Sequence, residues 1–369
     1  MKKKLLYLLL ACSLCLGLIA CGNKEEENEE GTVEEGPAIE DTVTIVEDEE
    51  PGEPEEVRPG MYRSELTNEW IDESLRNQRP VAVMIDNEKV ALPHYGISEA
   101  DVVYEMMNST LNGEITRFMV LVKDWESIEQ LGSIRSTRTT NLQIAPEWNA
   151  IVCHDGGPFY IDLFLKNPYV DNFNGGFSRV NNGKSTEFTE YVLSGDLDKK
   201  FSNSGVDREY NKYYQPEGHF LFASESNPVD LSTAGNAVNC TSIKLPFPHN
   251  SSQLEYIAET GTYRYSEYGQ EYKDAGNGSY LEFTNVIIQE CKHEQLDANG
   301  YMNFFVKESA GMSGYYITGG KAIPVTWSKQ DDIYPTKFFD KDGNEIVLNT
   351  GKTYIALVSA DRWDELVIE

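Results

Sequence analysis

Residues 80–87 read Pro80-Val81-Ala82-Val83-Met84-Ile85-Asp86-Asn87, an apolar run that stops at two polar side chains. A continuous apolar run of this length is typical of a strand that is buried on both faces. Residues 102–106 and 115–122 are similar runs, and the second is rich in β-branched side chains. The sequence therefore predicts a sheet with a buried centre in this part of the chain.

Helical patterns alternate with these strands. A helix is predicted over residues 137–147, with Ser136 or Thr137 as its N-cap. Pro158 suits the first turn of a second helix, and residues 186–201 have the polar pattern of a third. The alternation of strands and helices predicts an α/β layer.

The pattern changes to short alternating runs after residue 238. Asn299-Gly300 and Asp342-Gly343 separate such runs, and these dipeptides are strong signals of β-hairpins. We therefore predict an α+β fold with two parts: an N-terminal α/β domain with a mixed sheet over residues 61–238, and a smaller, mostly antiparallel β domain over residues 239–369.

Residues 1–20 have the pattern of a bacterial export signal, with three lysines before an apolar run that is short for a membrane span. The run ends in Leu18-Ile19-Ala20-Cys21, which matches a lipobox. We expect Cys21 to become the mature N-terminus and to carry diacylglycerol and a fatty acid such as palmitate. Acyl chains of this number anchor a protein stably, here on the extracytoplasmic face of the cell membrane. An uncleaved anchor is the alternative.

The chain is strongly acidic, with 61 acidic and 31 basic residues and a net charge of −30. Residues 21–60 hold 16 acidic residues and only two basic ones, which predicts a disordered, extended tether. The surplus of negative charge excludes nucleic acid as a partner, because phosphate neutralisation needs clustered lysines and arginines. It also argues against polybasic attachment to anionic lipids.

The cysteines and histidines do not indicate a cofactor or a metal site. Cys12 and Cys15 form a C-x-x-C pattern, but they lie within the export signal. The five histidines lack the spacing of a zinc pair. Three cysteines remain for the folded part, where they form one disulfide at most or, as we favour, stay as buried thiols: Cys153, Cys240 and Cys291.

Residues 132–138 are the strongest candidate for a binding site, because Arg135 and Arg138 lie where a loop is expected to enter a helix. The positive end of a helix favours an anion, and guanidinium groups add bidentate hydrogen bonds. Arg117, on a predicted strand, is expected to reach the same place. The predicted pocket would take a carboxylate, a phosphate or an acidic sugar, with these residues: Arg117, Arg135, Ser136, Arg138, His154, Gly156 and Gly157.

A structural role for the same arginines is the alternative. Buried charges need partners, and Asp101, Glu105 and Glu114 are carboxylates that the arginines could pair with inside the fold.

A second candidate site combines residues that follow two of the predicted strands. His154-Asp155-Gly156-Gly157 comes after one strand, and Asp86 ends another. A histidine between two carboxylates can act as a general base, so Asp86, His154 and Asp155 are candidate catalytic residues. The alternative is a turn with a capping aspartate.

Several of these segments resemble the YerB-type lipoprotein family, which is built on a domain of unknown function. The resemblance is dense over residues 79–158, including GISEADVVYE at 96–105, and it is thinner over 285–288 and 327–354. It implies a lipid-anchored extracytoplasmic protein with an N-terminal α/β part and a smaller C-terminal domain. It implies no established reaction and therefore no catalytic residues. Residues 92–94 depart from the Arg-Pro-Gln-like run that is usual in the family.

Three classes of function follow from these features. The leading hypothesis is a lipoprotein that binds an anionic ligand or a partner protein in the cell envelope. The alternative is a hydrolase or transferase that acts on cell-wall glycan or peptide. A scaffold for partner proteins is the third class, and it predicts a large exposed apolar patch.

Overall fold

The structure is a computed structural model, and it describes residues 57–111 and 113–369. The predicted export signal, Cys21 and most of the acidic tether lie outside the described residues. The strands, in chain order, are β1 (Met61–Arg63), β2 (Trp70–Asp72), β3 (Val81–Asp86), β4 (Val102–Met107), β5 (Thr116–Val122), β6 (Gln130–Gly132), β7 (Ile151–His154), β8 (Asn172–Asn174), β9 (Ser178–Arg179), β10 (Glu190–Leu193), β11 (Leu221–Phe222), β12 (Val238–Asn239) and β13 (Ser242–Lys244). They continue as β14 (Gln253–Ile257), β15 (Thr262–Glu267), β16 (Gln270–Glu271), β17 (Glu282–Phe283), β18 (Asn285–Cys291), β19 (His293–Gln295), β20 (Met302–Phe304), β21 (Glu308–Thr318), β22 (Lys321–Lys329), β23 (Lys337–Phe339), β24 (Val347–Leu348), β25 (Thr353–Ser359) and β26 (Val367–Ile368).

The helices are short. The α-helices are α1 (Thr139–Ile144), α2 (Ile161–Phe164) and α3 (Asp196–Ser202). The 3-10 helices are Glu73–Leu75, Ile97–Glu99, Ala145–Trp148, Thr186–Phe188, Leu231–Thr233 and Ala360–Glu365. Strands outnumber helices among the described residues, and the architecture belongs to the predicted α+β class.

The apolar runs around residue 80 form the middle of an 11-stranded mixed sheet. Its order is β12-β22-β21-β18-β25-β4-β5-β3-β7-β8, with β23 beside β22. Every residue of β3, β4 and β5 is buried, which confirms the prediction of strands covered on both faces. The sheet includes strands from both parts of the chain, because β25 pairs in parallel with β4 and brings Ile355 opposite Tyr104.

Different layers cover the two faces of this sheet. Tyr104 and Glu105 are neighbours on β4, so their side chains point to opposite faces. The hydroxyl of Tyr104 donates to Oε1 of Glu147, in the 3-10 turn that continues α1, at 3.0 Å. On the other face the hydroxyl of Tyr265, on β15, donates to Oε2 of Glu105 at 3.0 Å. A helical layer therefore lies on one face, and a smaller antiparallel sheet built around β14 and β15 lies on the other.

Two helix predictions need correction. The helix predicted over residues 186–201 is wrong in its first half, where β10 pairs with β6 and β9. The first half contains one 3-10 turn, Thr186–Phe188, and the α-helix α3 begins only after Gly195, whose φ is 77°. The polar pattern missed β10 because one of its partners, β6, is distant in sequence. The helix predicted over residues 137–147 begins later, with Arg138 as N-cap, and changes to a 3-10 turn at Ala145.

Two smaller expectations are confirmed. Cys153, Cys240 and Cys291 are free, buried thiols. The Asn299-Gly300 turn joins β19 to β20 as an antiparallel hairpin.

Candidate functional site

Three arginines converge at the end of β3, on the helical face of the large sheet. We call Arg117, Arg135 and Arg138 the arginine cluster. Asp86 on β3 and Arg117 on β5 are direct antiparallel partners, so their side chains share a face. Arg117 is also paired with Met106 of β4, and Met106 packs against Asn141 of α1, which places the cluster beside that helix.

Backbone pairing brings residues 133–137 to the same place. The backbone N–H of Arg135 donates to the carbonyl of Met84 at 2.9 Å, and the N–H of Asp155 donates to the carbonyl of Arg135 at 3.1 Å. The Arg135 segment thus lies between the ends of β3 and β7. The Nε atom of Arg135 forms an ion pair with the buried carboxylate of Asp86.

The two loops that the sequence analysis singled out contact each other directly. The hydroxyl of Ser136 donates to the carbonyl of Asp155 at 3.0 Å. The N–H of Thr137 donates to the carbonyl of Gly156 at 3.2 Å. The structure therefore brings residues 132–138 and 154–157 together, as the binding-site hypothesis requires.

Arg117 is buried, with a side chain that is 7% exposed. Its Nη1 donates to the carbonyl of Ser136 at 2.9 Å and to Oδ1 of Asn108 at 3.3 Å. Its Nη2 lies 3.9 Å from Oδ2 of Asp86, while its buried Nε has no hydrogen-bond partner. Burial lowers the pKa of Arg117 from its ordinary value.

Of the three arginines in the cluster, Arg138 has the fewest partners that offset its positive charge. Its Nη1 donates to the carbonyl of Thr137 at 2.9 Å, and its guanidinium lies 4.8 Å from the ring centre of Tyr301. Its Nε is buried without a hydrogen-bond partner. Burial, followed by repulsion from Arg117, lowers the pKa of Arg138 to about 9. No carboxylate of the described residues forms an ion pair with it.

The positive charges of the site are compensated unevenly. Asp86 is the carboxylate buried within the cluster, Arg135 makes a second, more exposed ion pair with Glu187 at 3.1 Å, and Glu88 lies close enough to Arg117 and Arg135 to interact with both. Arg138 has no such ion pair among the described residues. An unpaired buried guanidinium is unfavourable, because it has lost water without gaining a charged partner. An added anion would restore the balance.

The structural alternative holds in part, with a different partner. Asp101 accepts a hydrogen bond from the N–H of Lys123 at 2.6 Å, Glu114 pairs with Arg362, and Glu105 lies on the opposite face of the sheet. Asp86 instead forms buried ion pairs with Arg117 and Arg135.

The candidate catalytic residues have separate partners. Nδ1 of His154 lies 2.8 Å from the carbonyl oxygen of Gly156, and its Nε2 lies 3.2 Å from Oδ1 of Asn172. Burial lowers the pKa of His154. Asp155 lies 3.6 Å from Arg179. Within the described residues no hydrogen bond joins Asp86, His154 and Asp155.

The glycines after His154 have different roles. Gly156 has a φ of 73°, a left-handed conformation that disfavours side chains. A Cβ on Gly157 would lie 2.3 Å from Cδ1 of Ile161 and 3.2 Å from the carbonyl oxygen of Thr137. Gly157 thus allows α2 to approach the arginine cluster closely.

The expected contribution of a helix end is weaker than the sequence suggested. α1 has six residues, and its N-cap is Arg138 itself. The guanidinium groups supply the positive charge. Sequence reasoning also missed Asn108, which follows the end of β4, and Tyr301, in the β19–β20 hairpin. The Asn299-Gly300 turn was a sequence signal for the hairpin of Tyr301, whereas the local pattern did not indicate Asn108.

A buried acidic cluster occupies the other face of the sheet, and the sequence analysis did not identify it. Glu105 accepts hydrogen bonds at 2.7 Å from Thr116 and from Asn250. Glu267 lies beside it with its Oε1 unpartnered. Burial, followed by repulsion from Glu105, raises the pKa of Glu267 to about 8.

His94 lies between the two clusters. It is fully buried, with Nε2 against the carbonyl oxygen of Asp86 and Nδ1 2.8 Å from the hydroxyl of Tyr272. Burial lowers the pKa of His94 to about 4. His94 is therefore a buried structural residue in the loop that follows β3.

Two further observations concern residues 57–111 and 113–369. None of their helices has the length and apolar character needed to cross a membrane. They also contain no group of three or more His, Cys, Asp or Glu side chains arranged to hold a metal ion.

Comparison with known proteins identifies relatives over most of the chain. "Putative lipoprotein YerB" of Bacillus subtilis (strain 168) is 24% identical over 304 residues, which cover 80% of this chain and 86% of the relative. The crystal structure of the YerB protein from Bacillus subtilis superposes with a TM-score of 0.69 at 23% identity, and covers 83% of this chain and 99% of that one. The two proteins therefore share a fold.

The family domains match both parts of the chain. Residues 66–207 match the N-terminal domain of a family described as "Protein of unknown function (DUF3048)", and residues 243–355 match its C-terminal domain. The resemblance seen in the sequence is thus confirmed, and the chain belongs to the DUF3048 family, which includes a relative named as a lipoprotein.

Proposed function

We propose that this protein is a lipoprotein on the extracytoplasmic face of the cell membrane, and that its arginine cluster binds an anionic group of an envelope ligand or partner. One observation carries the proposal. Arg138 is half-buried, with a buried Nε that has no hydrogen-bond partner and with no ion pair among the described residues, and it lies beside the buried Arg117, whose Nε is also unpartnered.

The chemistry of the cluster favours a carboxylate or a phosphate. Guanidinium groups present forked donors that match the oxygen pairs of these anions. Hydrogen bonds to charged groups contribute about 1.5–3 kcal/mol each. Binding would also relieve the repulsion between Arg117 and Arg138.

The anchor follows from the sequence. Cys21 ends a lipobox, and acyl chains on its sulfur and amino group would hold the protein at the membrane. The acidic tether would extend away from the surface, because its like charges repel one another. This arrangement would leave the arginine cluster accessible to soluble or wall-bound ligands.

Arg138→Gln tests the binding site in the full-length chain. Since Arg138 has no acidic partner among the described residues, the substitution leaves no carboxylate unpaired, and we expect the fold to remain stable. We expect inorganic phosphate, titrated calorimetrically at constant ionic strength, to bind the R138Q variant at least tenfold more weakly than the wild type.

Arg76→Gln is the matched control, because Arg76 forms an exposed ion pair with Glu73. It should leave phosphate binding unchanged. Equal phosphate affinity in wild type and R138Q would reject the arginine cluster as the site.

A further inference from the structure

An exposed apolar surface follows the loop of residues 154–157, which contacts the Arg135–Arg138 segment through Thr137. Phe159 is 71% exposed and Leu163 is 72% exposed, although both are large apolar residues. They lie four residues apart on one side of the turn that leads into α2. The ring centres of Phe159 and Tyr160 lie 4.0 Å apart. We call Phe159, Tyr160 and Leu163 the apolar shelf.

A chain of three contacts connects Tyr160 of the shelf to Arg138 through Leu296 and Tyr301. The hydroxyl of Tyr160 lies 3.3 Å from the carbonyl oxygen of Leu296. The N–H of Leu296 donates to the carbonyl of Tyr301 at 2.7 Å, and the ring of Tyr301 covers Arg138. The shelf also begins two residues after Gly157, which packs against Thr137. An apolar surface and an undercompensated guanidinium therefore lie at the same edge of the molecule.

From this juxtaposition we infer that the ligand is a peptide segment with a free C-terminal carboxylate and an apolar last side chain. The inference rests on the proposed function, since the carboxylate would occupy the arginine cluster. The last side chain would then cover part of the shelf. Capture of a terminal carboxylate by fixed donors is a recurring mode of peptide recognition.

Two other ligand classes fit these residues less well. An acidic sugar would place hydroxyl groups against Phe159 and Leu163, which cannot form hydrogen bonds with them, and unpaired buried hydroxyls are unfavourable. An anionic lipid surface presents many negative charges at once to the chain's net charge of −30 and to the exposed Asp162, which lies between Tyr160 and Leu163 in sequence, whereas a peptide brings a single carboxylate.

The test measures calorimetrically how the full-length wild type binds acetyl-Ala-Ala-Leu as the free acid and as the C-terminal amide. We expect at least tenfold tighter binding of the acid, because only the acid carries the carboxylate. Acetyl-Ala-Ala-Ser should bind at least fivefold more weakly than the Leu peptide, since serine offers little apolar surface.

The variant Phe159→Ser with Leu163→Ser separates the shelf from the cluster. The double variant should bind the Leu peptide at least tenfold more weakly than the wild type, and its affinity for inorganic phosphate should stay within twofold of the wild-type value. Val238→Ser is the control, because Val238 is 50% exposed on the edge strand β12.

Each contrary outcome identifies which idea fails. Equal affinity for acid and amide, or for the Leu and Ser peptides, overturns the peptide inference. Tighter binding of glucuronic acid or of phosphatidylglycerol vesicles than of the Leu peptide also overturns it. If phosphate binds through Arg138 but neither peptide binds more tightly than phosphate, only the peptide inference fails. If phosphate does not bind, the proposed function fails as well.

Discussion

Asp86 and Arg117 lie directly opposite each other in the antiparallel pair of β3 and β5, with Nη2 of Arg117 3.9 Å from Oδ2 of Asp86. The preceding residue on β5, Thr116, points to the other face and donates to Glu105 at 2.7 Å. The alternation of side chains thus separates the polar groups at this end of the central strands, with the arginine cluster and Asp86 on the helical face and Glu105 on the other.

Asp86→Asn should destabilise the fold by about 3–5 kcal/mol, because it leaves the arginine cluster without its buried counter-charge. Urea unfolding at pH 7 measures this loss. Asp155→Asn is the control, since Asp155 is 45% exposed and its contact with Arg179 is screened by water. The control should lose less than about 1 kcal/mol. A loss of the same small size for D86N would show that the cluster does not need Asp86.

The same substitution should increase the benefit of an added anion. With Asp86 neutralised, inorganic phosphate becomes the main counter-charge for Arg117 and Arg135. We expect phosphate to raise the Tm of D86N by more than it raises the Tm of the wild type at equal ionic strength. An equal rise in both proteins would place the phosphate elsewhere.

Glu267 should make the protein less stable as the pH rises. Its pKa is about 8 in the folded state, above its ordinary value of 4.5, so the folded protein holds a proton that the unfolded chain releases. The stabilisation is therefore complete below about pH 4.5 and is lost as the pH rises through about 8, by up to about 1.4 kcal/mol per pH unit.

Glu267→Gln isolates this effect. His94 and Asp101 also have shifted pKa values, but their contributions are the same in the wild type and in the variant and therefore cancel in the difference. The difference in unfolding free energy between wild type and E267Q should change steadily between about pH 5 and pH 8. A difference that stays constant over this range would mean that Glu267 titrates normally.

Lys329→Met should cost about 3–5 kcal/mol of stability, because it leaves the carboxylate of Glu147 buried without its cation. Both side chains are 0% exposed. Adding Glu147→Leu should recover part of the loss, since an apolar pair avoids the unpaired charge. Lys341→Met, which removes an exposed ion pair with Asp342, should change the stability by less than about 1 kcal/mol. Equal effects of K329M and K341M in urea unfolding would contradict the prediction.

Cys21→Ala should abolish lipid attachment and leave the export signal uncleaved. The chain would then fail to incorporate radiolabelled palmitate. Cys12→Ala, within the apolar run, should be processed normally. Incorporation of label into the C21A variant at the wild-type level would exclude Cys21 as the acceptor.

The strands at the centre of the fold could be predicted because their apolar runs are continuous, and burial on both faces requires such a pattern. The strand at residues 190–193 was missed because its pairing with β6, distant in sequence, outweighed the polar local pattern. The helix at residues 139–144 was predicted, but its bounds were not, because it begins after Arg138 and changes to a 3-10 turn at Ala145. The prediction that Arg117, Arg135 and Arg138 converge was correct, since strand ends and the following loops lie at one edge of a sheet. The sequence did not predict that Asp86 is the counter-ion of these arginines, because an aspartate at the end of a strand also fits a catalytic role.

The sequence by itself determined the lipobox, the acidic composition of residues 21–60, the buried strands and the family, because each depends on local order or composition. Only the tertiary structure decided which charges meet. The pairing of Asp86 with Arg117 depends on strand register, and the burial of Glu105 beside Glu267 depends on how two sheets pack. Register and packing arise from contacts between residues far apart in the chain, and a local pattern of residue types does not contain them.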